Sequence, residues 1–287
     1  MKIAVIGLGL IGGSFCKTIT KRTDHQVLGY NRTLATAQKA LAEGSIQQII
    51  TLDQLDQADL TMVCLHPVQT IQFLLEHKND FAKGSIVIDA SGVKESVLDA
   101  VDEPLKEAGV RFVGCHPMAG REYSGYDYTL DTLFIGASFI LTPTPFTDPA
   151  AVDTVEQLAK ELGFGQTVRA TPQEHDEIIA ATSQLAHVVS NAYIKSPTLQ
   201  KEAGFSAGSF LDLTRVAKLN EDMWTDLFLM NRKALLQEID FIQDSIGQVR
   251  EALDAQDADR LKALLREGRL RKEESIARHE KMGGKGK

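Results

Sequence analysis

Cysteine is scarce in this chain of 287 residues, which contains only three, Cys16, Cys64 and Cys115. They lie far apart, and no two of them form a CxxC pair. An odd number of widely spaced cysteines argues against a disulfide framework, and the absence of CxxC argues against a zinc site. We therefore expect no metal and interpret the three thiols as small buried hydrophobic groups.

Long apolar runs are also missing. No run approaches the roughly 18 residues that a membrane-spanning helix needs. Met1 and Lys2 lead straight into a strand-like segment, without the charged region and cleavage site of a secretion signal. We therefore expect a cytoplasmic protein that has no membrane partner.

Positive charge is in deficit. The 31 lysines and arginines are outnumbered by 39 aspartates and glutamates, which gives a net charge of −8. Binding to nucleic acid needs a basic surface, so the charge balance argues against nucleic acid as a partner. An anionic substrate would have to be attracted by a few local cations.

Short apolar runs alternate with amphipathic stretches in the first part of the chain, and the length suggests about two domains. Six runs read as buried parallel strands: KIAVIG, HQVLGY, LTMVCL, SIVIDA, RFVGC and ASFILTP, with GQTVRA as a last strand. Helical periodicity lies between them, near 12–22, 34–43, 68–78, 93–108 and 149–162. This alternation predicts a doubly wound α/β sheet over residues 1–170.

The rest of the chain, residues 171–287, is predicted to be an all-helical domain. Thr171 suits the N-cap of its first helix and Pro172 the first helical position. Glu174, Asp176 and Glu177 suit the positive end of that helix dipole.

Apolar residues recur at spacings of three and four along MWTDLFLMNRKALLQEIDFIQDSIGQVREAL, which predicts a long amphipathic helical stretch. Long C-terminal helices with such apolar faces predict a homodimer that buries a large interface.

A glycine-rich turn, GLGLIGGS, follows the first strand at residues 7–14. In a Rossmann dinucleotide-binding unit, Gly7 would permit the tight turn and Gly9 would let the backbone approach a pyrophosphate. Gly12 would let the helix pack on the strand, while Leu10 and Ile11 open that helix and its N–H groups face the phosphates. The turn therefore predicts a site for NAD or NADP.

Asn31 and Arg32 end the second strand, where an NAD-binding unit usually carries an acidic residue for the ribose hydroxyls. An acidic side chain would repel a 2′-phosphate, whereas Arg32 could pair with one and Asn31 could still bond a hydroxyl. We predict that NADP is used. The alternative, in which Arg32 is a solvated surface charge and the cofactor is NAD, stays open.

His116 stands at the carboxyl end of the strand in RFVGCHPMAGRE. Ligands of open α/β sheets bind beyond the carboxyl ends of the strands, so His116 is a candidate catalytic residue. A lone histidine is also often structural.

Five motifs occur in an order that resembles the prephenate dehydrogenase (TyrA) family: GLGLIGGS, DASGVK, HPMAGRE, HDEIIAATSQLAH and GSFLDLTRVA with a following tryptophan. They cover nearly the whole chain. The resemblance implies NAD(P)-dependent oxidative decarboxylation of prephenate or arogenate in tyrosine biosynthesis. It also implies a Rossmann domain and a helical dimerisation domain with the active site between them.

The resemblance also implies roles for single residues. His116 matches the catalytic histidine, which accepts a hydrogen bond or the proton from the C4 hydroxyl as hydride leaves C4. Arg215 matches the arginine that binds a substrate carboxylate, and Asp212, three residues earlier, would orient it.

Further matches concern the substrate pocket. His175 and His187 match two pocket histidines, whose separation by three and a third helical turns argues against a metal pair. Glu122 matches an acid that closes the pocket. Trp224 matches an aromatic residue near the site, although core or interface packing is the alternative.

The DASGVK motif departs from the family pattern, D-x-G-S-V-K, because Ser91 and Gly92 are exchanged. Either Ser91 reaches His116 by another loop path, or the serine bond that orients the histidine is absent. Arg121 stands where a small hydroxyl residue is common, and it could attract an anionic substrate or lower the pKa of His116.

Other functions remain open. A hydroxyacid dehydrogenase or imine reductase of similar plan usually relies on a helical lysine, but the pocket stretch places His187 there, with Lys195 two turns later. A regulatory protein that only senses the dinucleotide would not need His116 and Arg215 together. Between the two substrates, a pocket with His187 and Gln184 but no acid predicts prephenate, because the ammonium of arogenate would favour a carboxylate.

Overall fold

Aliphatic and β-branched runs form a sheet through the first part of this computed structural model, which describes residues 1–121 and 123–281. Within these residues the strands are β1 (Lys2–Ile6), β2 (Gln26–Tyr30), β3 (Gln48–Ile49), β4 (Leu60–Val63), β5 (Ile86–Asp89), β6 (Arg111–Pro117), β7 (Ser138–Thr142) and β8 (Gln166–Arg169). They lie in the order β3-β2-β1-β4-β5-β6-β7-β8. The predicted doubly wound α/β fold is confirmed, and the two-residue strand β3 is an addition to it.

Strands β1 to β6 are parallel, whereas β7 runs antiparallel to β6, with His116 opposite Ile140. The prediction that ASFILTP is a parallel strand was therefore wrong. A parallel neighbour needs a crossover connection, usually a helix, but the described residues between 118 and 137 include a single helical element, the short 3₁₀ turn Tyr126–Tyr128. A helix over Pro149–Leu162 then supplies the crossover that makes β8 parallel to β7.

Helices cover both faces of the sheet. They are α1 (Leu10–Arg22), α2 (Leu34–Ala42), α3 (Pro67–Glu76), α4 (Glu95–Glu107) and α5 (Pro149–Leu162). Side chains of a strand alternate between faces, and in β1 Ile3 and Val5 join one apolar core while Ala4 and Ile6 join the other. Because β1, β4, β5 and β6 are parallel, their carboxyl ends bring the glycine-rich turn, the loop after Asp89 and His116 to one edge.

The later helices are α6 (Pro172–Ile179), α7 (Leu185–Tyr193), α8 (Gly208–Thr214), α9 (Glu221–Met230), α10 (Arg232–Asp254) and α11 (Ala258–Lys281). Helix α6 begins as predicted, since the Thr171 hydroxyl accepts from Glu174 N and the Glu174 carboxylate accepts from Thr171 N. One π-helical turn, Ala180–Gln184, joins α6 to α7. The long helical stretch predicted from Met223 onward consists of two helices, because Asn231 ends α9 and separates it from α10.

The described chain forms two compact units, Met1–Leu235 and a second unit that begins at Leu236. Helices α6 to α9 belong to the same unit as the sheet, and the predicted domain boundary after residue 170 stays a prediction. Among the described residues, none of the helices has the length and apolar character to cross a membrane.

Candidate active site

The glycine-rich turn between β1 and α1 has the geometry of a backbone cradle. Gly7 has a φ of +89°, which favours glycine, and its N–H donates to Tyr30 O. A Cβ on Gly12 would lie 2.0 Å from the Gly7 carbonyl oxygen, so a side chain there would push α1 off the strand. A Cβ on Gly9 would meet no atom within 4 Å, which leaves its backbone open to a ligand. These features fit the pyrophosphate of a dinucleotide at the start of α1.

Asn31 and Arg32 follow β2 beside this turn. The Asn31 side chain accepts from Leu8 N at 3.0 Å and donates to Thr33 O at 3.2 Å, so it braces the turn. Arg32 is exposed and has no ion pair with any residue that the structure describes. Asn31 therefore has a structural task that the sequence did not indicate, and the Arg32 guanidinium is available to an anion.

A buried ion pair supports the loop between β5 and α4. The Lys94 ammonium donates to the Asp89 carboxylate at 2.5 Å and to Cys115 O at 2.7 Å, and neither charged side chain has solvent exposure. Asp89 also accepts from Ser91 N and Cys115 N. A buried charge is tolerated only when it is paired and hydrogen-bonded, and this pair joins the loop to β6 directly before His116.

The half-buried His116 is the first member of a chain of polar groups whose other members, His175 and Asp176, are buried. Its Nδ1 lies 2.8 Å from Nε2 of His175, and Nδ1 of His175 lies 2.7 Å from a carboxylate oxygen of Asp176. His175 is 2% exposed and both of its ring nitrogens have partners within the chain. His175 therefore lies behind His116, with its ring nitrogens bonded to His116 and Asp176, and its predicted substrate contact stays a prediction.

The imidazoles of this site are held neutral. Burial, followed by the neighbouring His175 and the Lys94 ammonium, keeps the pKa of His116 well below the usual histidine value. Burial also lowers the pKa of His175, against the opposing effect of its bond to Asp176. Arg121, which the sequence suggested as a cause, is not among the groups that lower the pKa of His116.

The Ser91 hydroxyl donates to Thr70 Oγ1 at 3.5 Å, and no hydrogen bond joins Ser91 to His116 within the described residues. The catalytic role of Ser91 stays a prediction that this geometry does not support. Gly92 faces the histidine instead, since a Cβ on Gly92 would lie 3.8 Å from His116 Nε2. The exchange of the two residues thus removes the hydroxyl group from the side of Nε2.

Asp176 is a site residue whose position the sequence did not predict. Its carboxylate accepts from Lys94 N at 2.8 Å and from Glu95 N at 2.9 Å, at the start of α4 rather than of its own helix. Its carbonyl oxygen accepts from the Asn231 amide, which also donates to Gln184. The adjacent pair His175-Asp176 in the second turn after the N-cap Thr171 was the available signal.

His187 stacks on Trp224, with ring centroids 3.7 Å apart and an interplanar angle of 29°. His187 Nδ1 donates to the carbonyl oxygen of Ser183 at 2.9 Å, which leaves Nε2 as an acceptor in the neutral ring. Burial is the main cause that lowers the pKa of His187, and the Arg215 guanidinium adds to it. His187 and Arg215 therefore belong to one electrostatic environment.

The other predicted substrate residues lie on exposed segments. Asp212 belongs to α8, and Arg215 opens the short 3₁₀ turn that follows it. The Arg121 guanidinium lies 5.3 Å from the centre of the Tyr123 ring. Glu122 lies outside the described residues, so its predicted pocket-closing role stays a prediction.

Comparisons with known proteins agree with this geometry. The family described as "Prephenate dehydrogenase, nucleotide-binding domain" matches residues 15–167, and "Prephenate dehydrogenase, dimerization domain" matches residues 171–267. The prephenate dehydrogenase of Bacillus subtilis is 30% identical over 279 residues, which cover 90% of this chain and 72% of that protein. The cyclohexadienyl dehydrogenase of Zymomonas mobilis is 31% identical over 273 residues, which cover 90% of each protein.

A solved structure is also similar over almost the whole chain. The prephenate dehydrogenase from A. aeolicus, in complex with hydroxyphenyl propionate and NAD+, has a TM-score of 0.83 at 25% identity and covers 96% of this chain and 98% of its own. This chain therefore belongs to the prephenate dehydrogenase family.

Proposed function

We propose that this protein is an NAD(P)-dependent prephenate dehydrogenase, which converts prephenate to 4-hydroxyphenylpyruvate and CO₂. The observation that carries the proposal is a neutral His116 at the carboxyl edge of the sheet that also holds the glycine-rich turn. A general base and a dinucleotide site at one edge suit the oxidation of an alcohol.

The residues divide the chemistry between them. With the pyrophosphate of the cofactor held at the glycine-rich turn, the nicotinamide would supply the acceptor for the hydride of C4. His116 Nε2 accepts the proton of the C4 hydroxyl, and loss of the C1 carboxylate as CO₂ makes the ring aromatic. Because the overall reaction releases no net proton, His116 returns its proton to the same oxygen, which becomes the phenol.

Arg215 and His187 would hold the substrate. A guanidinium fork binds a carboxylate through two parallel hydrogen bonds, and Arg215 is the cation whose charge acts on His187. Because the sequence motif around His187 and Gln184 contains no acid and the ring is neutral, we expect this side of the pocket to favour the ketoacid side chain of prephenate over the ammonium of arogenate. The role of Asp212 in orienting Arg215 belongs to the same proposal.

The proposal is tested by incubating the protein with prephenate or arogenate and with NAD or NADP, while absorbance of the reduced nicotinamide is followed. We expect turnover with prephenate and a higher kcat/KM for prephenate than for arogenate. A higher kcat/KM for arogenate would make it an arogenate dehydrogenase. Cofactor binding without turnover of either substrate would favour a nucleotide-sensing protein.

NADP use is a further part of the proposal, and Arg32 is the residue that tests it. We expect Arg32→Ala to raise the KM for NADP by roughly 10- to 100-fold, since a charge-assisted contact is worth about 1.5–3 kcal/mol. The KM for NAD should change by less than about threefold, because NAD lacks the 2′-phosphate. Steady-state kinetics with both cofactors measure this.

The matched control for Arg32 is Arg266→Ala, which removes an exposed arginine from α11. It should alter neither KM. Equal losses for NAD and NADP in Arg32→Ala would show that Arg32 does not contact the 2′ position, and a wild-type enzyme without NADP activity would exclude NADP as a cofactor.

We also propose a homodimer formed through the C-terminal helices. In the single chain the side chains of Phe241 and Ile246 on α10 are 68% and 60% exposed, and Leu265 on α11 is 64% exposed. Large apolar side chains exposed on successive helices mark an interaction surface. The expected cytoplasmic location of the protein also stays a prediction.

The dimer predicts a specific result for Phe241→Glu. A charge placed in a buried apolar interface has no partner, so this variant should run as a monomer at micromolar concentration. Size-exclusion chromatography with light scattering measures the mass. Gln243→Glu adds the same charge at a polar position and should stay dimeric; a monomeric wild-type protein would contradict the proposal.

A further inference from the structure

The carboxylate of Asp176 can only accept hydrogen bonds at its present position. Main-chain N–H groups of Lys94 and Glu95 point at its two oxygens, and Asp176 is 1% exposed. The oxygen that accepts from Lys94 N also contacts His175 Nδ1. A proton on the carboxyl group would face these donors, so the group acts as an anion at the positive end of α4.

Hydrogen-bond logic then determines where the protons lie on both histidines. His175 Nδ1 carries a proton and donates it to Asp176, so Nε2 of neutral His175 is an acceptor. His116 Nδ1, 2.8 Å away, must therefore carry the proton of that bond. Neutral His116 has no second proton, and its Nε2 is left with a free lone pair.

We propose that Asp176, acting through His175, is a positioning residue that keeps the proton of His116 on Nδ1 and leaves Nε2 as the base. The inference rests on the proposed function for the meaning of that base. A histidine with its proton on Nε2 has no lone pair to offer to a hydroxyl group.

The surroundings of Nε2 explain why this chain depends on the contact behind the ring. Gly92 lies on that side, where an added Cβ would be 3.8 Å from both Cε1 and Nε2 of His116, and it has no side chain. Ser91 is directed to Thr70. The titratable and charged groups near His116 are His175, Asp176, Lys94 and its partner Asp89. Within the described residues, the His116 ring makes one hydrogen bond, the one to His175.

The first test reads the tautomer directly. Nitrogen-15 NMR of histidine-labelled wild-type protein distinguishes protonated from unprotonated ring nitrogens, and the spectrum of His116→Asn assigns the signals of His116. At pH 8 we expect one tautomer with the proton on Nδ1. A proton on Nε2 of His116 in the wild-type protein would overturn the proposal, whether or not the protein turns over prephenate.

Two amide variants of His175 separate positioning from packing. In His175→Gln the amide oxygen reaches the position of ring Nε2 and can accept from His116 Nδ1. The shorter amide of His175→Asn reaches only the position of ring Nδ1 and does not reach His116. We expect kcat to fall by less than about fivefold in the glutamine variant. In the asparagine variant it should fall roughly 10- to 100-fold, part of what a general base contributes.

The KM for substrate and cofactor should change by less than about threefold in both variants, because neither substitution touches the binding residues. Equal losses of kcat in the two variants, or wild-type kcat in His175→Asn, would contradict the proposal. Thermal unfolding of each variant shows whether a loss follows stability instead.

Asp176→Asn tests the anchor of the chain. Only one of the two terminal atoms of an asparagine amide, the oxygen, can accept a hydrogen bond. The NH₂ group can therefore donate to His175 Nδ1, which would reverse the tautomers of His175 and His116. We expect a mixture of His116 tautomers in the NMR spectrum, where the wild-type protein has one. A single Nδ1–H tautomer in Asp176→Asn would overturn the role of Asp176, and the wild-type spectrum decides the tautomer even if this variant does not fold.

Discussion

Replacing His116 by asparagine is expected to lower kcat by roughly 10²–10⁴-fold, the usual contribution of a positioned general base. Asparagine keeps a similar shape and one donor group, but it does not accept a proton at neutral pH. The KM for prephenate and for the cofactor should change little, because the lost interaction is made only as the proton moves. Steady-state kinetics at saturating cofactor measure both constants.

His279→Asn is the control, since His279 is an exposed residue of α11. It should leave both constants unchanged. Wild-type kcat in His116→Asn between pH 6 and 9 would remove this histidine from the mechanism, and most of the proposed chemistry with it.

The pH dependence of the wild-type enzyme provides a second measurement on the same residue. The base is active when unprotonated, and burial holds the pKa of His116 well below its ordinary value. The acid limb of kcat/KM, which reports the free enzyme, should therefore lie below pH 6.5, where an exposed histidine titrates. An acid limb above that pH would contradict a buried neutral base.

Arg215→Ala is expected to have the opposite kinetic profile. Loss of a charge-assisted bidentate contact should raise the KM for prephenate by on the order of 10²-fold, equivalent to about 2–3 kcal/mol. The change in kcat should be much smaller, since the arginine binds substrate and transition state alike. Initial rates over a wide range of prephenate concentrations measure the effect.

Arg215→Lys is the matched variant, because it keeps the charge and loses the planar fork. Its KM should lie between those of the wild-type protein and Arg215→Ala. A KM unchanged in Arg215→Ala, together with a reduced kcat, would assign this arginine to the chemical step instead of to binding.

The sequence predicted local features well because they depend on nearby residues. The turn at Gly7, the helix start at Thr171 and the strand before His116 each follow from the residue types at a few adjacent positions. The direction of β7 was predicted wrongly, because it depends on what lies between the strands and not on the strand itself. Antiparallel and parallel strands have the same apolar pattern when both faces are buried.

The site itself was only partly predictable. A motif can indicate that His116 is catalytic, but the bond from His116 to His175 joins residues 59 positions apart, and no local pattern encodes it. The exchange of Ser91 and Gly92 was visible in the sequence. Which of the two faces the histidine depends on the path of the loop, which the buried pair of Lys94 and Asp89 determines.

The position of Asp176 has a consequence for the order in which the protein forms during synthesis. All eight strands precede Asp176 in the chain, so the sheet can assemble on the ribosome before that residue emerges. Until then, the N–H groups of Lys94 and Glu95 at the start of α4 lack the carboxylate that accepts their hydrogen bonds. His116 Nδ1 likewise lacks its partner His175. The Asn231 amide that holds Asp176 arrives 55 residues later still. A nascent chain can therefore have a complete nucleotide-binding sheet while His116 is still unoriented, and the ring gains its partners only after most of the polypeptide has been made.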